Sequence, residues 1–98
     1  MRNIEKVDVT EYQKLSELVS ALGNGTRIAI LKIIGKYGEV CTCELETALG
    51  IPQSTVSVHL HRLYENGLLE KREEWKYTYY SVNPRFKELI KVVLESKE

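Results

Sequence analysis

Apolar residues recur at helical intervals through most of the chain and change rhythm once, in the C-terminal third. In TEYQKLSELVSALG, Tyr12, Leu15, Val19 and Leu22 share one face of a 3.6-residue repeat, and Thr10 and Gln13 have the spacing of a capping box. This pattern predicts an amphipathic first helix. After Gly23 and Gly25, TRIAILKIIGKYG carries Ile28, Ala29, Ile30, Leu31, Ile33 and Ile34, apolar around most of its circumference, which predicts a helix at the centre of the domain. A link over Tyr37 to Val40 leads to CELETAL, a short helix with Leu45, Ala48 and Leu49 on one side and Gly50 as a left-handed C-cap. A tight turn at Ile51 and Pro52 opens IPQSTVSVHLHRLYENG, whose apolar positions are Val56, Leu60 and Leu63. Beyond Asn66-Gly67 the run LLEKREEWKYTYYSV reads as two β-prone segments around a polar turn at Glu73-Glu74, a hairpin. Finally NPRFKELIKVVLESK starts a helix with Asn83 as N-cap and Pro84 at the first helical position, and with Phe86, Leu89, Ile90 and Val93 in one stripe.

The expected fold is mainly α with a small β-hairpin, in the order α-α-α-α-β-β-α, as one domain over residues 1–98. A short helix, a glycine turn, a second helix and a hairpin are the order of a winged helix-turn-helix. Leu45, Leu49, Ile51, Val56 and Leu60 would pin the two helices together, leaving the opposite side of the second one free. That side carries Gln53, Ser54, Thr55, Ser57, Val58, His61 and Arg62. Gln pairs bidentately with adenine, Ser and Thr bond bases or phosphates, and Val58 suits a thymine methyl, so the face has the chemistry to read duplex DNA. Lys71, Arg72 and Lys76 near the hairpin tip add phosphate contacts, diluted by Glu70, Glu73 and Glu74. The plain alternative is that these polar side chains only solvate a surface helix.

Composition narrows this picture in three ways. Ninety-eight residues at 43% hydrophobic content support a single, marginal core, so apolar helices at both chain ends are expected to pair with a second copy as a homodimer. A formal net charge of zero argues against an indiscriminate polyanion binder without deciding what one face binds. No apolar run is long enough to cross a bilayer, and MRNIEKVDVTEYQ lacks the apolar stretch of a secretory signal, so a cytoplasmic protein with no membrane partner is expected.

The chain has two cysteines, Cys41 and Cys43, in VCTCELE. A permanent disulfide is disfavoured by a reducing compartment and by the strained ring that one intervening residue closes. A soft-ion ligand pair, a redox-sensing pair and two small packed residues remain open. Without a thioredoxin-like βαβ pattern the pair offers no substrate cleft or general base, so no enzyme is expected.

The segments GNGTRIAILKIIG, CTCELETALGIPQSTVSVHLHRLYENGLLEKR and KYTYYSV resemble the ArsR/SmtB family of metal- and metalloid-responsive transcriptional repressors, over about residues 15–90. QSTVSVHLHRLYENGLL, similar to the family's recognition helix and its exit, is the most specific part. The resemblance implies a dimer joined through the first and last helices. It also implies binding to an imperfect palindrome in a double-stranded operator, with release when an ion binds. The family's sensing site, at the start of the helix before the recognition helix, implies Cys41 and Cys43 as ligands for As(III), Sb(III), Cd(II) or Pb(II). Residues two apart on a helix diverge, so the pair must straddle an irregular helix start, with Thr42 as the expected N-cap and a thiol pKa lowered by the helix N-terminus.

Glu46 stands where the fullest arsenic-sensing pattern has a third Cys; it is read as an oxygen ligand, a partner of a cation or a solvated side chain. KELIKVVLESKE has no His, so the family's zinc pattern is missing from the last helix. His59 and His61 fall on opposite sides of the recognition helix, His59 towards the helix interface and His61 towards phosphate. Trp75 at the wing tip reads either as a contact beside the DNA backbone or as packing on the hairpin. Two other readings keep the fold: a DNA-binding regulator with a redox thiol switch or no effector, and a protein-interaction module.

Overall fold

The computed structural model describes residues 1–96. Its elements are α1 (Gln13–Leu22), α2 (Gly25–Tyr37), β1 (Glu39–Cys41), α3 (Thr42–Leu49), α4 (Gln53–Glu65), β2 (Leu69–Glu74), β3 (Tyr77–Val82) and α5 (Lys87–Glu95), with 3-10 turns at Val9–Tyr12 and Pro84–Phe86. The predicted last helix extends to Lys97, which lies outside the described residues. Helices and hairpin occur in the expected order, and one strand is added.

That strand, β1, occupies the segment read as a link. It pairs antiparallel with β3 through Glu39–Ser81, Val40–Tyr80 and Cys41–Tyr79, giving a three-stranded sheet in the order β1-β3-β2. Three residues are too short to show a period of two, so only the pairing reveals them. The hairpin turn also moves: Glu73 and Glu74 pair with Thr78 and Tyr77, and the turn is Trp75-Lys76. Trp75 adopts a left-handed φ of 60°, a conformation that a bulky side chain rarely takes and that propensity rules do not assign to Trp. At the N-terminus, the expected Thr10 cap gives way to Asp8, whose carboxylate accepts from the Thr10 N–H at 3.0 Å and the Thr10 hydroxyl at 2.6 Å and opens a 3-10 turn ahead of α1.

The core gathers around α2 and α4. Ile30, Leu31 and Ile34 of α2 meet Leu45 of α3, Val56, Leu60 and Leu63 of α4, Leu68 and Leu69 at the root of the hairpin, and Ile90 of α5, all buried. Asn24 caps α2 by accepting from the Arg27 N–H at 3.1 Å. Gly50, at φ 66°, ends α3 and donates its N–H to the Glu46 carbonyl at 2.9 Å. Pro52 starts α4 in extended conformation, its carbonyl accepting from the N–H groups of Thr55 and Val56. An abrupt left-handed stop followed by an extended proline sets the angle between α3 and α4.

The terminal helices differ from this core. Of the stripe expected on α1, Leu22 is buried, whereas Tyr12, Leu15 and Val19 are 49%, 54% and 59% exposed. On α5, Ile90 is buried and Val93 half-buried, as is Phe86 in the 3-10 turn before it, but Leu89 joins Val92 on the outside. Ala48, expected on the packed side of α3, is exposed as well. The radius of gyration is 16.0 Å, against about 13 Å for a compact domain of this length, with extents of 61 × 31 × 23 Å. The chain is elongated and leaves apolar faces of α1 and α5 uncovered.

Candidate functional site

Val56, Leu60 and Leu63 turn one side of α4 into the core, and this places Gln53, Ser54, Thr55, Ser57, Val58, His61 and Arg62 outside it. Ser54, Val58 and His61 lie most nearly opposite the buried stripe by helical geometry. Val58 is 67% exposed, an apolar spot surrounded by hydroxyls and amide. The N-terminal half of this face makes no side-chain hydrogen bond to other described residues. The C-terminal half is engaged: His61 Nε2 lies 2.8 Å from Glu65, and Arg62 donates to the Ser20 hydroxyl at 3.1 Å. The surface free to meet a groove is therefore the first turns of α4, the end that carries base contacts in helix-turn-helix proteins.

An arginine that sequence reading passed over fastens α4 to the rest of the chain. Arg27 donates to the Ala21 carbonyl at 2.6 Å, to the Ser20 carbonyl at 3.3 Å and to His59 Nδ1 at 3.1 Å. It bonds the C-terminal carbonyls of α1, of which that of Ser20 also accepts from the Gly23 N–H, and holds His59 at the interface between helices. Burial first, and then the charge of Arg27, push the His59 pKa down, which keeps the imidazole neutral and able to accept at Nδ1. An Arg after a helix break and a His four residues before the helix's last buried Leu were the available signals, and neither specifies a partner.

On the wing, the three predicted cations occupy different situations. Lys71 lies over the Tyr64 ring at 4.5 Å from its centroid, and Lys76 lies 5.6 Å from that of Tyr77. Arg72 is committed to carboxylates, forming a two-pronged pair with Glu39 at 2.8 and 3.2 Å and another bond to Glu74 at 2.7 Å. This pairing holds the Glu39 carboxyl below its ordinary range. Arg72 thus ties the hairpin across to β1, and among the described residues Lys71 and Lys76 are the wing cations without a carboxylate partner. Trp75 stands at the tip, 96% exposed, and is not packed on the hairpin.

The thiols meet at the junction of β1 and α3. Cys41 is buried and Cys43 exposed, and their sulfurs lie 2.7 Å apart. The helix start is irregular, as convergence requires, but its N-cap is Cys41 rather than Thr42. Glu44 completes a capping box by accepting from the Cys41 N–H at 3.0 Å. The expected lowering of thiol pKa is reversed at Cys41: burial, followed by the neighbouring Cys43 thiol, pushes it up. Glu44, not Glu46, is the carboxylate bonded at the thiol end of α3, and the Cys41 N–H holds its pKa down. Among the described residues no three His, Cys, Asp or Glu side chains gather as a metal cluster, so Glu46 is not brought to the sulfurs. The two sulfurs could chelate a soft ion; two bonds of about 2.3 Å at a tetrahedral angle would need them to spread to roughly 3.8 Å. Beside Cys43 opens a cleft of about 460 Å³ between α2 and α3.

Residues 24–71 match the family model described as bacterial regulatory protein, arsR family. An uncharacterized HTH-type transcriptional regulator of Methanocaldococcus jannaschii is 40% identical over 87 residues, covering 87% of this chain and 97% of that protein. An arsenic resistance transcriptional regulator of Pseudomonas putida is 33% identical over 84 residues, covering 82% of this chain and 73% of the relative. Among solved structures, a homodimeric winged helix-turn-helix DNA-binding domain from Mycobacterium bovis superposes with a TM-score of 0.80 at 28% identity, covering 95% of this chain and 86% of the other. With a buried-backed α4, an adjoining wing and these relatives, the chain belongs to the ArsR family of DNA-binding transcriptional regulators.

Proposed function

We propose that the protein is a homodimeric repressor that reads an imperfect palindrome in its operator and is released when a thiophilic ion binds Cys41 and Cys43. The observation that carries this reading is the convergence of the two sulfurs to 2.7 Å at the first turn of α3, the helix that packs against α4. In this reading Gln53, Ser54, Thr55, Ser57 and Val58 meet base edges, and His61, Arg62, Lys71 and Lys76 lie towards phosphates. Tyr12 at the end of the first 3-10 turn, Leu15 and Val19 on α1, and Leu89 and Val92 on α5 form the apolar surface that a second copy covers, which sets the separation of the two reading helices.

A bound soft ion supplies strong bonds to deprotonated sulfur. Cys41 must lose its proton and both sulfurs must spread, which disturbs a cap built from the Cys41 N–H and Glu44. Because Leu45 on α3 and Val56 and Leu60 on α4 are packed without exposure, a displaced α3 shifts α4 rather than sliding past it. The test is titration of the reduced protein on its promoter DNA with arsenite, antimonite, Cd(II) and Pb(II). At least one should release the DNA, and Cys41→Ser and Cys43→Ser should each bind DNA but stay bound. The same short sulfur distance favours a second reading, release by thiol oxidation; a mild oxidant reversed by a reductant, without any ion, would identify it.

A further inference from the structure

A second cleft, lined by neither thiol nor any residue of α4, opens between α2, β3 and α5 with a volume of about 560 Å³. We propose that it binds an organic acid, a carboxylate whose aliphatic body lies on the cleft's apolar walls and whose charge is met by lysines at its mouth.

The walls supply the first half of the argument. Ile34 of α2, Val82 of β3, Pro84 after it, and Ile90 and Leu94 of α5 line the cleft. Organic ligands occupy mainly apolar pockets of roughly 300–1,000 Å³, and the cleft falls in that range. Gly35, in the last turn of α2, also lines it, and a Cβ built there would meet no atom within 4 Å. Glycine is a poorer helix former than alanine, and no close approach of another element accounts for it at this position. Its missing side chain keeps the cleft open.

Charge supplies the second half. Lys32 and Lys36 are one helical turn apart on α2, Lys87 and Lys91 are one turn apart on α5, and all four line the cleft. Like charges at this spacing repel on a helix. Glu88 and Glu95 line it too, so four lysines against two glutamates leave an excess of two positive charges, in a chain whose formal net charge is zero. Among the described residues none of the four lysines has a carboxylate within ion-pair distance, and Lys36 lies 5.5 Å from the centroid of the neighbouring Tyr37 ring. An anion at the mouth relieves the repulsion, and a hydrocarbon body is what the apolar walls add to its recognition.

The cleft is separate from the flank on which a second copy is proposed to pack. Successive steps of about 100° along α5 put Lys87, Lys91 and Leu94 on one side of the buried Ile90, and Leu89 and Val92 on the other. A dimer built on the outer side leaves the lysine side open.

The test is calorimetric titration of the reduced full chain with decanoate. It should bind once per chain, at least about tenfold tighter than decylammonium, which has the same aliphatic body and the opposite charge, and acetate at equal concentration should not compete. Gly35→Leu grows into the cleft from an unobstructed helix position and should cut decanoate affinity at least about tenfold, with helix content and DNA binding retained. Lys36→Gln combined with Lys91→Gln should weaken decanoate about three- to tenfold without weakening decylammonium. Leu15→Glu, on the uncovered flank, should leave decanoate binding unchanged. Equal affinity for decylammonium, or undiminished decanoate binding in Gly35→Leu, would overturn the proposal. So would loss of binding in Leu15→Glu, which would put the acid on the apolar flank instead.

Discussion

The α2–α4 core and the α1–α5 flank are built from similar residues but are in opposite states. Ile30, Ile34, Leu60 and Leu63 are fully buried, whereas Leu15, Val19 and Val92 are each more than half exposed. An aliphatic residue gains roughly 1.5–3 kcal/mol from full burial, so the flank leaves much of its apolar potential unused within one chain. The helix-turn-helix and wing are complete in a single copy; the frame that would space two of them in the proposed dimer is not. The uncovered flank therefore makes association with a second chain the natural source of its remaining stability.

The two regions should respond differently when disrupted. Leu60→Ala in the core should lower stability by about 2–5 kcal/mol in chemical denaturation, with the loss independent of protein concentration. Leu15→Glu on the flank should weaken dimerisation by at least about tenfold in sedimentation velocity while helix content is retained. A Leu15→Glu protein that remains dimeric at unchanged affinity would move the interface elsewhere. On the exposed N-terminal face of α4, the proposed groove contact, Gln53→Ala should cost roughly 1–3 kcal/mol of operator affinity and relax preference at one base position, leaving melting unchanged. At the hinge between α3 and α4, Gly50→Ala forces an alanine into left-handed backbone and should cost about 1–2 kcal/mol of stability.

The smallest expected effect concerns the clasp between the two regions. His59 has a folded pKa held below its ordinary value, so its contribution is fully present above the ordinary imidazole range and is lost as pH falls through the depressed folded pKa. Acidification should therefore destabilise the wild type more than His59→Gln, measured as the difference between their melting curves across that window. A parallel pH response of the two proteins would count against the Arg27–His59 link.

Helix positions were largely legible because their signals are local. Periodic aliphatics mark α2 and α4, and Gly50 with Pro52 marks the turn between them. What was missed depends on distant partners. The strand at Glu39–Cys41 exists through pairing with Tyr79, Tyr80 and Ser81, some forty residues away in the chain. The hairpin turn falls two residues beyond the Glu73-Glu74 position that the sequence predicts, because neither Trp75 nor Lys76 is a usual turn residue. The polar face of α4 is legible as a face, yet the pairing of His61 with Glu65 and of Arg62 with Ser20 depends on side-chain geometry that spacing does not specify. At the thiols, the spacing of Cys41 and Cys43 located the pair, but burial reversed the expected pKa direction, and the cap role fell to Cys41 and Glu44.

The most direct measurement is the promoter-DNA affinity of the reduced wild type and of Cys43→Ser, each with and without a saturating thiophilic arsenical. Tight binding by both proteins alone, with release of the wild type only, is the predicted result. Wild-type DNA affinity that is unchanged although the arsenical occupies Cys41 and Cys43 would contradict the coupling of α3 to α4.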